Sequence, residues 1–143
     1  MNYLLDTNVL SEVRRPAPDG QVLAWLDAVD EDRVFLSVIS IAEIARGVHL
    51  LADSRRKAAL EQWLESELVQ RFDARLLPVD GATALIWGEL LAFSKGAGIG
   101  LSVMDGWIAA TARRHELTLV TRNIKDFANL GLPLLDPWNL PPS

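Results

Sequence analysis

The chain has no cysteine among its 143 residues, and that absence removes disulfides, thiolate metal sites and cysteine nucleophiles together. Histidine is scarce: His49 and His115 lie far apart and make no zinc spacing with each other. No apolar stretch reaches the ~20 residues of a membrane span, and Asp6 interrupts the first apolar run before it could serve as a signal peptide. These absences fit a reducing cytoplasm and no membrane partner. Positive charge is also in deficit. A formal net charge of −5 and a pI near 5.0 argue against holding nucleic acid by a bulk positive field. Basic residues still cluster locally, as Arg14 with Arg15, Arg55-Arg56-Lys57, Arg113 with Arg114, and Arg122 with Lys125. Taken one at a time, such clusters read as solvated helix faces.

What is present is an ordinary globular balance, 50% apolar and 23% charged, in a length that suits one domain over residues 1–143. Short β-like runs alternate with helical stretches, which predicts an α/β fold with a parallel sheet. Strands are expected at Tyr3–Asp6, Val34–Ser37, Leu76–Val79, Leu117–Thr121 and Leu134–Asp136, the last an edge strand between Pro133 and Pro137. Helices are expected over Gln21–Val29, Ser40–Leu51, Arg55–Phe72 behind a Ser54 cap, Asp80 to about Lys95, and Ser102–His115. Gly96-Ala97-Gly98-Ile99-Gly100 follows one helix and precedes another, so it reads as a helix stop and turn rather than a nucleotide loop. The proline-rich tail Pro137–Ser143 is expected on the surface, and most of the five tryptophans in the core or in helix packing, with one or two at a protein interface.

Acids set among core-forming segments need a reason, because unpaired buried charge is costly. Asp6 closes the first apolar run, Glu43 interrupts Ser40–Ala45, and Asp105 interrupts Ser102–Ala110. Each has a plain explanation. Asp6 suits an N-cap, Ser40-x-x-Glu43 has the spacing of a capping box, Ser102-x-x-Asp105 nearly has it, and Asp126 suits a turn. Helix starts that follow parallel strands share one sheet edge with the strand ends, so capping and function place Asp6, Glu43 and Asp105 in one neighbourhood. Three like charges there call for a cation or a retained proton. An Asp, Glu and Asn set without His or Cys suits Mg2+, with Mn2+ as the alternative.

With those residues laid out, the chain resembles the PIN-domain nucleases of the VapC type, the toxin half of bacterial toxin–antitoxin pairs. The resemblance rests on Leu5-Asp6-Thr7-Asn8, on Ser37–Ile44 with Gly47 beyond, and on Met104–Ala112 followed by Leu119–Asn123 and Asp126-Phe127. It implies a three-layer α/β/α domain with about five parallel strands, and a magnesium-dependent endoribonuclease that cleaves RNA phosphodiesters. Asp6, Glu43 and Asp105 fall at the family's metal-binding positions. Asn123 falls where a fourth polar group stands, often an aspartate in relatives, which leaves Asn123 and Asp126 as rivals for that role. Thr7 or Asn8 would support the ligands. The resemblance further implies a small antitoxin partner, for which Gln21–Val29 and Ser40–Leu51 offer a groove, and a homodimer. Two other readings stay open: a haloacid-dehalogenase-like phosphatase using Asp6 as nucleophile, although Asn8 stands where a second aspartate would be needed, and a catalytically silent binding module whose acids merely cap helices.

Overall fold

The computed structural model describes residues 1–140. Its sheet has five short strands: β1 (Tyr3–Leu5), β2 (Val34–Ser37), β3 (Leu76–Leu77), β4 (Thr118–Val120) and β5 (Leu134–Leu135). They run in the order β3-β2-β1-β4-β5, every pairing parallel. Side chains alternate faces along a strand, and the core divides accordingly. Leu4 and its register partner Leu119 join Leu90, Ile108, Ala109 and Phe127 on one face. Leu5 and its partner Val120 join Val9, Val22, Ile44 and Leu68 on the other. Burial on both faces is why the strands read as unbroken apolar runs in the sequence.

Helices cover both faces. α1 (Thr7–Val13), α2 (Gly20–Ala28), α3 (Val38–His49) and α4 (Arg55–Trp63) enclose the Leu5 side, while α5 (Gly81–Gly96), α6 (Val103–Arg114) and α7 (Ile124–Phe127) enclose the Leu4 side. The three-layer expectation therefore holds, with differences in detail. The helix expected over Arg55–Phe72 changes winding at Leu64 and continues as a π-helix over Leu64–Gln70. α3 starts at Val38, capped by Ser37, whose hydroxyl accepts the Ile39 N–H at 3.0 Å. Ser40 is buried inside that helix, so Ser40-x-x-Glu43 is not a capping box. Ser102 does cap α6, accepting the Asp105 N–H at 3.1 Å. The Gly96–Gly100 run closes α5 and turns into α6, with Gly98 at φ +72, where glycine is favoured.

The tail departs from its expected place on the surface. Pro137 is buried and Trp138 packs against the core, its N–H donating to Asp136 at 2.9 Å; residues 141–143 lie outside the described residues. α7, a single turn around Asp126, was not anticipated.

α5 and α6 meet closely because Gly106 presents no side chain to the seam. Trp87 and Trp107 stack there, centroids 4.6 Å apart and planes 13° from parallel, and the Trp87 indole N–H donates to Val103 O at 3.2 Å. A Cβ on Gly106 would collide with Leu91 Cδ2 and come within 3.0 Å of Trp87 Nε1. Gly106→Val is therefore expected to displace the indole, break its hydrogen bond and cost about 1–3 kcal/mol. A fall in the denaturant midpoint at unchanged slope is the measurement that checks it.

Candidate metal-binding acidic site

The strand order reverses between β1 and β4: the chain builds β2 and β3 outward on one side, then β4 and β5 on the other. Parallel α/β sheets bind ligands in the crevice beyond the carboxyl ends of their strands at such a reversal. The residues that cross this point are Asp6, immediately after β1, and Thr121, immediately after β4. They are joined there. The Asp6 N–H donates to Val120 O at 2.9 Å, and the Thr121 hydroxyl donates to Asp6 Oδ2 at 2.8 Å. Asp6 Oδ1 accepts the Thr7 N–H at 2.8 Å, so the residue caps α1 as well. Thr121 is fully buried, and its oxygen also accepts from the Asn123 N–H at 3.0 Å and the Asn8 side-chain amide at 3.3 Å.

Glu43 arrives from the second turn of α3. Its Oε1 lies 2.8 Å from the Thr7 hydroxyl, which is itself 3.0 Å from the buried Ser40 hydroxyl. A carboxylate can only accept, so the Thr7 proton points to Glu43 and Ser40 supplies its own proton to Thr7. Thr7 therefore fixes Glu43, and Asn8 braces Thr121, which divides between them the supporting role expected of either. Asp105, half-buried, comes from the first turn of α6. Its position at this edge has a different reason from the one expected. α6 follows a helix, not a strand, but it leads through a short connection into β4, so its start lies at the carboxyl edge.

The acids sense one another. Burial pushes the Asp6 carboxyl up to about 6, and the charges of Asp105 and Glu43 push the same way against the hydrogen bonds from Thr121 and Thr7. Burial likewise raises Asp105, helped by Asp126 and Glu43 and opposed by Ser102. No cationic side chain enters either balance. Glu12 is the contrast. It is equally buried at 3% exposure, but the Asp19 N–H at 2.9 Å and Arg15 at 3.0 Å satisfy it, and its pKa is lowered, first by that N–H. Glu12 holds the turn between α1 and α2; Asp6, Glu43 and Asp105 hold unbalanced charge.

Both rivals for the fourth position lie close by. Asn123 is exposed at the start of α7, its N–H bound to Thr121 while its side chain makes no capping bond. Asp126, one turn on, reaches Asp105 through its charge. Among the described residues no three His, Asp or Glu side chains already stand at metal-ligand spacing. Asp6, Glu43 and Asp105 share the crevice, where the charges of Glu43 and Asp105 both raise Asp6, without forming such a cluster. Their chemistry nonetheless fits the expected ion, since every donor is a hard oxygen and the crevice contains excess negative charge. Sequence reasoning passed over Thr121 and Ser40; the usable signal was a polar residue ending the apolar run Leu117–Val120.

With this geometry described, comparison with known proteins identifies its class. The PIN domain matches residues 3–131, and the chain belongs to that family. It is similar to the toxin FitB of Neisseria gonorrhoeae, 40% identical over 136 residues, covering 95% of this chain and 98% of the relative. It is 36% identical to the VapC ribonuclease Y4jK of Sinorhizobium fredii over 94% of this chain and 96% of that protein. Among solved structures, FitAcB from Neisseria gonorrhoeae superposes with a TM-score of 0.91 at 40% identity, covering 96% of this chain and 99% of that one. VapBC2 from Rickettsia felis, bound to a promoter DNA fragment, gives 0.77 at 27% identity over 94% and 97%. Family membership removes the phosphatase alternative.

The pH dependence of the metal-free protein follows from Asp6. Its carboxyl titrates near 3.8 when unfolded and about 6 when folded, so the folded state binds the proton more tightly. That stabilisation is complete below about pH 4 and is lost as pH rises through about 6, on the order of 3 kcal/mol in all. Asp105 contributes in the same sense, whereas Glu12 and Asp80, with lowered values, contribute in the opposite one. The difference between wild type and Asp6→Asn isolates the term. In chelator-treated thermal melts the wild type is expected to lose stability relative to the variant as pH rises from about 4 to 8. A pH-independent difference would overturn the assignment.

Proposed function

We propose that this protein is a magnesium-dependent endoribonuclease, the toxin of a toxin–antitoxin pair, acting in the cytoplasm. The observation that carries the reading is the set Asp6, Glu43 and Asp105, charge-coupled and uncompensated by any cation, at the switch point of a PIN-domain sheet. Curated relatives named as ribonucleases and as the toxin FitB support the substrate and the role. Asp6, Glu43 and Asp105 would hold the divalent ion, which when bound supplies charge neutralisation and Lewis acidity toward a phosphoryl oxygen. Thr7, Asn8 and Thr121 keep those carboxylates in place, and Asn123 orients a water through its amide oxygen.

The partner reading has support of its own. A cavity of about 420 Å³ opens between α1, α2, β2 and the π-helix, lined by Leu10, Val13, Leu26 and Phe72 among others, with Asp27 and the ion-paired Glu67 and Arg71 also in its wall. It includes Leu26 and Asp27 of α2, and a neighbouring cavity is lined by Ile41, Val48 and His49 of α3 with Leu64 and Val69 of the π-helix. We assign the first cavity to an apolar helix of a small antitoxin; the related VapBC-5 structure from Mycobacterium tuberculosis is of a member of the VapBC family of toxin-antitoxin systems. Leu85 and Phe93, exposed on α5, are assigned to a homodimer contact. Among the described residues no helix is long and apolar enough to cross a membrane.

Mapping cleavage sites in total RNA after brief expression tests the activity, and Asp105→Asn tests the site. The variant is expected to lose cleavage completely while melting at or above the wild-type temperature in chelator, because one repelling charge is gone. Retained wild-type activity would remove Asp105 from the site.

A second pair of substitutions decides the fourth position. Asn123→Ala is expected to weaken cleavage with a modest loss of magnesium affinity, and Asn123→Asp to tighten magnesium by restoring a carboxylate. Calorimetric titration reads both. If Asp126→Asn abolishes binding while both changes at Asn123 are silent, Asp126 holds the position instead.

A further inference from the structure

We propose that Arg122, propped on the indole of Trp138, anchors a backbone phosphate of single-stranded RNA beside the bond that is cut, an inference that rests on the nuclease reading above. An acidic crevice in a protein of net charge −5 repels the polyanion it is read as cleaving. Cations at its rim are needed to bring the strand in.

Arg122 is built for that place. It follows Thr121, whose hydroxyl holds Asp6, so its Cα lies about 3.8 Å from the residue that ties the site together. Its own N–H is 3.4 Å from Asn8 Oδ1, which anchors the backbone to the same hydrogen-bond cluster. The guanidinium lies 5.2 Å from the Trp138 ring centre; the Trp138 side chain packs against the core, and its backbone N–H donates to Asp136 Oδ1 at 2.9 Å. Stacking leaves the in-plane donors of the fork free, and that fork matches two phosphate oxygens.

Its charge is not otherwise used. Among the described residues Arg122 has no carboxylate within 4.0 Å, as is also true of Arg14, Arg33, Arg46, Arg55, Arg56 and Arg113, but of these only Arg122 and Arg14 lie over an aromatic ring. Nor does Arg122 figure among the groups that shift Asp6 or Asp105. Arg14 is similarly held over Trp63, but at the far end of α1 from the site.

Binding of a short fluorescein-labelled single-stranded RNA of random sequence, by anisotropy across a salt series in the Asp105→Asn background, tests the proposal. Arg122→Gln is expected to weaken binding about tenfold, and to reduce the slope of log affinity against log salt by about 0.7, the loss of one phosphate contact. Arg122→Lys keeps the slope but not the full affinity, and Trp138→Leu weakens binding with the slope retained, because the charge remains. In the otherwise wild-type protein Arg122→Gln is expected to act through KM, with magnesium-induced stabilisation unchanged. If Arg122 merely staples the C-terminal segment, Arg122→Gln lowers the melting temperature and leaves affinity and slope untouched; that result overturns the anchor and spares the nuclease reading. RNA neither bound nor cut by the unsubstituted protein overturns both.

Discussion

One hydrogen bond, from the Thr121 hydroxyl to Asp6 Oδ2, joins the two strand ends between which the sheet changes direction. Everything that makes the crevice useful is attached to it. Asp6 caps α1 and thereby sets Thr7, Thr7 sets Glu43, and Thr121 receives both Asn8 and the backbone of Asn123. The cluster spans β1, α1, α3 and β4, so the site forms only when the parallel sheet does. Parallel pairing of distant strands is completed late because long loops must close first, and assembly of the site is tied to that step.

The same cluster holds a conflict. Hydroxyl and backbone donors favour the ionised carboxylate of Asp6, yet burial and two neighbouring acids outweigh them and raise its pKa to about 6. The fold therefore retains a local destabilisation at the crevice while satisfying its other buried acid, Glu12, in full. Perturbed carboxylates gathered in a cleft are the usual mark of a functional site, where stability yields to chemistry.

Charge around the crevice is sorted rather than balanced. The acids gather at the crevice, Arg122 rests on the Trp138 indole, and an apolar groove opens beside α1 and α2.

The order of strands and helices was legible in the sequence, and Asp6, Glu43 and Asp105 stood out in it as candidates. Each depends on a local rule: apolar runs between turn signals give elements, and an acid inside an apolar run declares its own cost. Boundaries were less legible, because Ser37 and Ser40 are both good caps on local chemistry and only packing buries the second. The partnership of Asp6 with Thr121 was not legible at all. The two residues are joined through the sheet order β2-β1-β4, and no local preference encodes which strand lies beside β1. Nor could local pattern dock Trp138 under Arg122, since a proline-rich segment looks exposed until the core offers it a surface. The sequence by itself determined which groups carry charge, cap and core; the tertiary structure decided which of them meet, because adjacency across a parallel sheet is set by the packing of the whole chain.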